Sequence, residues 1–374
     1  MIRRIVSGAI QENFFKKKAI LLLGPRQVGK TTLLRQLAET GSSGVLYLNC
    51  DEPDVREDLQ NTTSTALRVL LGDKQVVFID EAQRVPGIGL TLKLLVDQFP
   101  DVQVIATGSS ALELAGGVQE SLAGRKFEYH LYPLSTAEMV AHTSRRDEQR
   151  LLEQRLIYGL YPEIVNHPAE SARRLLELVD GTLYKDALAL QDVRKPAVLQ
   201  KLLVALALQV GSEISYYELG QTVGTDPVTV ERYITLLEQS YVLFQVGALS
   251  RNLRNELKKS KKVYFYDNGI RNALIKNFNP LALRNDSGAL WENFMISERI
   301  KFNHYAGLRP NYYFWRTHAQ QEIDWIEEAN GQLLAIEFKW NAKAKARIPN
   351  TFLQAYPDAT PVGITPENYL QFLI

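Results

Sequence analysis

The chain has 374 residues, too many for one small core and enough for about two to four domains, with 45% hydrophobic residues and a formal net charge of +1. That balance excludes a uniformly basic nucleic-acid coat and leaves room only for local basic patches. The single cysteine, Cys50, excludes an intramolecular disulfide framework or a thiolate zinc site within one chain and fits a reducing cytoplasm.

Residues 1–18 read as a helix or arm, with apolar Ile5, Ile10 and Phe14 among charges. Gln11, Glu12, Asn13 and the Lys16-Lys17-Lys18 run interrupt any signal-peptide core. The most apolar later stretch, LLVALALQV from Leu202, is far short of a bilayer span, so no membrane partner is expected. Ala19 to Leu23 form a short buried-strand pattern that runs into Gly24, Pro25, Arg26, Gln27, Val28, Gly29, Lys30 and Thr31. This is the Walker A spacing, two glycines five apart followed by Lys and Thr, in the required order of strand, loop and helix. Gly24 and Gly29 let the backbone fold close around phosphate, and the N–H groups of Arg26 to Thr32 would point at the anion. The positive end of the following helix adds to them. Lys30 would reach the β- and γ-phosphates of ATP, and the Thr31 hydroxyl would complete a Mg²⁺ shell. A strand-turn-helix with a chance Gly-Lys-Thr is the competing reading.

Gly44 to Asn49 is a second strand, ending in Asp51-Glu52. Val76 to Glu81, VVFIDE, has the Walker B pattern: a buried strand delivers two carboxylates to its C-terminal edge, where open α/β sheets place ligands. Asp80 would hold Mg²⁺ through water, and Glu81 would orient or deprotonate the attacking water. A further strand, Val102 to Ala106, ends in Thr107-Gly108-Ser109-Ser110, where Ser109 would sense the γ-phosphate or simply cap a turn. Arg125 follows a glycine near the expected edge of the nucleotide domain. Placed on a neighbouring subunit's γ-phosphate it would stabilise transition-state charge in a homo-oligomer, and a surface salt bridge explains it equally well.

The motifs GPRQVGKT, VVFIDEAQRV, ATGSSALEL, the LAGR stretch and the later YGLYPEIV resemble those of bacterial and archaeal AAA-superfamily ATPases that carry a C-terminal domain of unknown function. The likeness covers nearly the whole chain, and its first two motifs are the most specific. It implies an α/β fold in four parts. An AAA-type P-loop core with a parallel sheet would occupy 1–140 and a helical lid 141–196. A winged helix would follow over 197–284, and a small PD-(D/E)XK nuclease-like domain over 285–374.

The residues beyond the core fit these parts. Ser144 to Asp192 is charged and helical in pattern, with apolar Leu152, Leu156, Tyr158, Leu175, Leu178, Val179 and Leu183, and Lys195-Pro196 marks a boundary. From Val198 to Asp267 come helices Leu202–Gln209 and Tyr216–Val223 and a third opened by Thr225-Asp226-Pro227. Strands Tyr241–Val246 and Val263–Tyr266 follow. Between the strands lie Arg251, Arg254, Lys258, Lys259, Lys261 and Lys262, a basic wing suited to DNA phosphates. Glu231 and Glu238 on the third helix argue against a major-groove reader, and a solvated hairpin or a subunit contact is the alternative.

The last segment orders helix Leu290–His304, strands Tyr312–Arg316, Glu322–Ile326 and Leu333–Phe338, a short helix, strand Val362–Ile364 and a final helix. Asp324 on one strand and Glu337-Phe338-Lys339 on the next resemble a PD-(D/E)XK nuclease core, with Glu292 on the preceding helix as a fourth member. Alternate strand residues share a face, which sets Glu337 and Lys339 beside Asp324. Two carboxylates would bind Mg²⁺, and Lys339 would polarise an attacking water or steady the pentavalent phosphate. A catalytically silent binding scaffold fits the same residues, and Trp315, Trp325 and Trp340 read as core. The expected function is Mg²⁺-dependent ATP binding and hydrolysis driving a conformational change. Its outlet is either DNA, through the wing and the nuclease-like site, or a protein partner held by an ATP-dependent switch.

Overall fold

A computed structural model describes residues 2–40, 44–108, 118–183, 193, 195–250, 261–317, 319–343 and 346–374. The chain divides into two compact units, Met1–Tyr132 and Pro133–Ile374. The first is built on five parallel strands: β1 (Ala19–Leu23), β2 (Val45–Asn49), β3 (Val76–Asp80), β4 (Gln103–Gly108) and β5 (Lys126–His130), in the order β2-β3-β4-β1-β5. All residues of β1 and β3 are buried. Their continuous apolar runs, AILLL and VVFID, are what a parallel strand covered on both faces requires. The strand β5 has no counterpart among the sequence expectations. Its residues KFEYH alternate charge with aromatic rings and are all half-buried, as suits an edge. Because β4 lies between β1 and β3, the ends of the P-loop strand and the acidic strand stand one strand apart with the tip of β4 between them.

The second unit begins with short helices, Thr136–His142, Arg145–Arg150, Leu152–Tyr158, Pro162–Asn166 and Ser171–Leu178. These carry the segment expected as a lid, and they are stitched into the interior of this unit. The Asn268 and Asn272 amides donate to the carbonyls of Leu156 (3.1 Å) and Ile157 (2.8 Å), and the Leu160 N–H donates to the Asp267 carboxylate at 2.7 Å. Gly159 lets the chain pass: a Cβ there would lie 2.0 Å from Asp267 Oδ1.

Helices Pro196–Leu208, Tyr216–Val223 and Pro227–Gln239 follow, the first starting six residues before its expected position because Pro196 opens it. Seven strands then form one mixed sheet: β6 (Glu213–Ile214), β7 (Leu243–Ala248), β8 (Lys261–Phe265), β9 (Asn311–Arg316), β10 (Glu322–Ala329), β11 (Gln332–Phe338) and β12 (Thr360–Ile364). Their order is β12-β11-β10-β9-β7-β8-β6. The pair β7 and β9 is parallel, with Gly247 opposite Tyr313 and Ala248 opposite Phe314. The boundary expected at 284/285 therefore falls within a segment whose two sides share a sheet. Helix Ser287–Tyr305 packs on it, with the Asn293 side chain accepting from the Phe265 N–H of β8 at 2.7 Å, and Leu290, Trp291 and Phe294 of the helix are buried. Trp325 is fully buried, Trp315 packs edge-on against Phe352 at 5.2 Å and Trp340 lies 5.7 Å from Trp291, so all three tryptophans serve the core as expected. Among the described residues no helix is long and apolar enough to cross a membrane.

Candidate functional site

After β1 the backbone turns at Gly24 (φ 156°), where a Cβ would lie 2.1 Å from the Leu131 carbonyl oxygen, so no other residue fits. Gln27 (φ 61°) and Gly29 (φ 95°) complete the loop in left-handed conformations, and Lys30 opens the helix Lys30–Thr40. The Lys30 side chain is buried, and its ammonium donates to the carbonyls of Gly24 and Pro25, each at 2.9 Å. Arg4, from the N-terminal segment, props the loop from behind: its guanidinium donates to the Val28 carbonyl at 2.7 Å and to the Tyr132 carbonyl at 2.6 Å. Arg4 carried no signal in the sequence, since an arginine pair, Arg3-Arg4, before a helix reads as surface charge.

Asp80, at the tip of β3, is buried and held by three hydroxyls. Thr31 donates to its Oδ2 at 2.8 Å, Tyr47 of β2 donates to the same oxygen, and Thr107 of β4 donates to Oδ1. Burial first, and then the bond to Asp80, push the Tyr47 phenol above its ordinary range. Cys50, just after β2, is buried and pushed up to about 12 by desolvation and by Asp80, which leaves it an inert thiol. Thr107 also accepts from the Glu81 N–H at 3.1 Å, and so ties the backbone of one acidic residue to the carboxylate of the other. Glu81 itself is left-handed (φ 54°), and its carboxylate accepts from the Gln83 amide at 2.6 Å. A positive φ on a residue with a side chain costs about 1–2 kcal/mol and is met where a site holds it in place.

The pairing of Thr31 with Asp80 brings a hydroxyl and a carboxylate together, hard oxygen donors of the kind Mg²⁺ takes alongside phosphate and water. The loop amides, Lys30 and these two residues therefore fit a Mg²⁺-nucleotide. Residues 16–140 match the AAA domain family. Two domains of unknown function match further along, DUF8612 over 149–281 and DUF4143 over 287–371. An uncharacterized protein of Mycobacterium tuberculosis is 28% identical over 347 residues, 90% of this chain and 74% of its own length. The replication factor C large subunit of Thermococcus kodakarensis is 33% identical over 90 residues, 24% of this chain and 18% of its own. Among solved structures, a STAND-class signal-transduction ATPase of Pyrococcus horikoshii aligns with 82% of this chain and 48% of its own, at a TM-score of 0.30 and 12% identity. On the family match alone, residues 16–140 carry an AAA-type P-loop domain.

Within the AAA domain, Arg125 lies at the end of the sheet away from the loop. Its carbonyl accepts from the N–H of Ala19, the first residue of β1, whereas the loop follows the last. Its guanidinium donates to Asp97 at 2.7 Å, the surface pairing the sequence allowed, so it does not serve the pocket of its own chain. Ser109 lies outside the described residues.

The second unit brings the four nuclease-like candidates together. Asp324 on β10 accepts from the Phe338 N–H at 2.9 Å, and Lys339 donates to Glu337 beside it. Glu292, on helix Ser287–Tyr305, accepts from Tyr264 at 2.7 Å and from Lys262 at 3.4 Å, and Lys262 also pairs with Glu322. Burial, reinforced by the charge of Asp324, pushes Glu292 up to about 8 and Glu337 up to about 7, and burial raises Asp324 as well. Glu337 Oε2 is buried and has no hydrogen-bond partner among the described residues. No group of three or more His, Cys, Asp or Glu that could hold a metal ion occurs among them either. A cation here would be held through Asp324 and Glu337 with substrate and water oxygens, as Mg²⁺ usually is.

The expected basic wing changes character. Lys262 is 2% exposed and neutralises acids in this cluster, so it is not a DNA contact. Lys261 donates to the Tyr216 hydroxyl at 3.2 Å. Arg251, Arg254, Lys258 and Lys259 lie outside the described residues.

Proposed function

We propose that the chain binds and hydrolyses Mg²⁺-ATP. The observation that carries this is the 2.8 Å bond from Thr31, at the start of the P-loop helix, to Asp80 at the tip of the acidic strand. The two halves of a nucleotide-metal site meet there. The backbone from Arg26 to Thr32 cradles the phosphates, and Lys30 exchanges its two carbonyl partners for phosphate oxygens. Thr31 and Asp80 hold Mg²⁺, which when bound offsets phosphate charge. Glu81, steered by Gln83, orients the attacking water and takes its proton. Glu81→Gln should bind ATP as the natural chain does while turning over about 100-fold or more slowly. Turnover at the natural rate in that variant would remove Glu81 from the reaction.

The energy is read out in the second unit, and DNA is the outlet the geometry favours. Asp324, Glu337 and Lys339 converge there, with one carboxylate oxygen lacking a donor. This is an arrangement that a cation and a phosphodiester would complete. The protein-partner switch is favoured by a different observation, the direct neutralisation of the cluster by buried Lys262. Mg²⁺-dependent nicking of plasmid DNA that Asp324→Ala abolishes would support the first outlet. Intact plasmid, together with no DNA binding at low salt, would leave the switch.

A further inference from the structure

We infer that Arg4 is a positioning residue of the phosphate loop: by holding the Val28 carbonyl it keeps the Gly29 N–H turned into the cradle. The inference rests on the reading of this loop as the seat of a nucleotide's phosphates.

Every peptide bond among the described residues is trans. In a trans peptide the carbonyl and the N–H point in opposite directions, so whatever binds the Val28 oxygen decides where the Gly29 hydrogen goes. Arg4 binds that oxygen at 2.7 Å. Arg4 is only 5% exposed, so its side of the loop is the protein interior, and the opposite side is the one a ligand can reach. The Gly29 N–H points to that side and has no hydrogen-bond partner among the described residues.

This peptide needs a pin. Gly29 sits at φ 95°, and glycine takes the opposite sign about as readily, so the Val28–Gly29 peptide can turn over by rotation about the bonds on either side of it. Packing does not stop it, since a Cβ built on Gly29 would meet only Arg4 Nη1, at 3.9 Å. Turned over, the peptide would show the anion a carbonyl oxygen in place of a donor. Arg4 prevents this because the rest of its guanidinium is fixed. Its other amino group donates to the Tyr132 carbonyl at 2.6 Å, just beyond β5, where the Leu131 N–H is tied to the Leu23 carbonyl of β1 at 2.7 Å. Both bonds leave one rigid planar fork, so anchoring it at Tyr132 sets where the Val28 oxygen lies. The backbone of Arg4 is held in turn by Ser7, whose N–H and hydroxyl donate to the Arg4 carbonyl at 3.2 Å and 2.7 Å.

These bonds exist before a ligand arrives, so their effect on binding lies in which orientation of the peptide the empty loop populates. If the orientation with the N–H outward falls to about a tenth of the molecules, the apparent dissociation constant rises tenfold. A hydrogen bond from a charged donor shifts an equilibrium by roughly that factor or more.

The test is binding of a fluorescent ATP analogue to the full chain, in Mg²⁺ and in EDTA, and its displacement by inorganic tripolyphosphate, for the natural protein, Arg4→Met, Arg4→Lys and Ser7→Ala. Arg4→Met should weaken the analogue and tripolyphosphate alike, roughly tenfold, with or without Mg²⁺, because the N–H meets phosphate and not metal or base. Arg4→Lys, which keeps a donor for one carbonyl, should fall between. Ser7→Ala, which loosens the arm but leaves the guanidinium, should bind as the natural chain does. Should Arg4→Met not fold, the loss in Arg4→Lys carries the comparison. Unchanged tripolyphosphate affinity in the folded Arg4 variants would overturn the role of Arg4. An equal loss in Ser7→Ala would overturn it too, by assigning the effect to the arm. If the natural chain bound neither the analogue nor tripolyphosphate, the nucleotide reading itself would fall, a result distinct from both.

Discussion

Lys30 in the first unit donates to two backbone carbonyls, and the neighbouring Asp80 is held by neutral hydroxyls. In the second unit Lys262 and Lys339 donate straight to carboxylates. A bond from an ammonium to a carbonyl carries charge on one side only, whereas a bond to a carboxylate adds the attraction of two opposite charges in a partly buried site. A lysine on carbonyls can therefore be recruited by an incoming phosphate, and a lysine already on a carboxylate is committed. The first pocket is arranged to receive an anion and a cation together. The second has neutralised part of its own charge with lysines and, through the raised Glu292 and Glu337, with protons.

The largest effect that would break this contrast is in Lys262→Met. Leaving Glu292 and Glu322 without their buried counter-ion should cost up to about 3–5 kcal/mol above about pH 8 and less below it, where Glu292 holds a proton, seen as a lower unfolding temperature of the full chain. An unchanged temperature would mean that the cluster does not depend on Lys262. Next comes Lys30→Ala, which should lower ATP affinity by roughly 10- to 150-fold in calorimetry, the value of a charge-assisted contact, while shifting ligand-free unfolding less than Lys262→Met does. If Lys30→Ala damaged the fold as badly as Lys262→Met, the two lysines would not differ in kind.

The smallest effect sharpens the contrast through pH. Glu292 and Glu337 are raised from an ordinary value of 4.5 to about 8 and about 7, so between those limits the folded second unit binds protons that an unfolded chain would release. Stability is then present at the acid end and lost as pH rises through 7 to 8. Buried Asp267 and Asp324 act with the same sign. Asp286, lowered to about 2 by Arg284 and Arg271 in spite of burial, has the opposite sign but loses its contribution only below the ordinary carboxylate range. The unfolding temperature should fall between about pH 5.5 and about pH 8.5, by about 2–4 °C for each 1 kcal/mol of linkage. A rise over that interval would show that the cluster is not a reservoir of protons.

Much of the first pocket was legible because its signals are local. Five apolar residues before GPRQVGKT, and four before Asp-Glu, fix a strand and what hangs from its end. Tyr47 was hidden for the opposite reason. The stretch GVLYLN announces a strand, but which of its side chains reaches Asp80 depends on the register with β3, a pairing across distant residues. Lys262 misled because a run of basic residues reads as a solvated loop. Its burial follows from β8 starting at Lys261, which puts Lys262 and Tyr264 on one face towards Glu292. The convergence of Asp324, Glu337 and Lys339 was legible, since adjacent strands with period two place them by geometry alone.

The parallel seam between β7 and β9 also governs how the molecule can be divided. A cut at 284/285 would bare the inward edges of both strands, including the Leu249 N–H that now donates to the Phe314 carbonyl at 2.7 Å. Raw edges of that kind recruit other chains, so either fragment made alone should be prone to aggregate. Dissection at the Tyr132–Pro133 junction leaves every strand with its hydrogen-bonded neighbours.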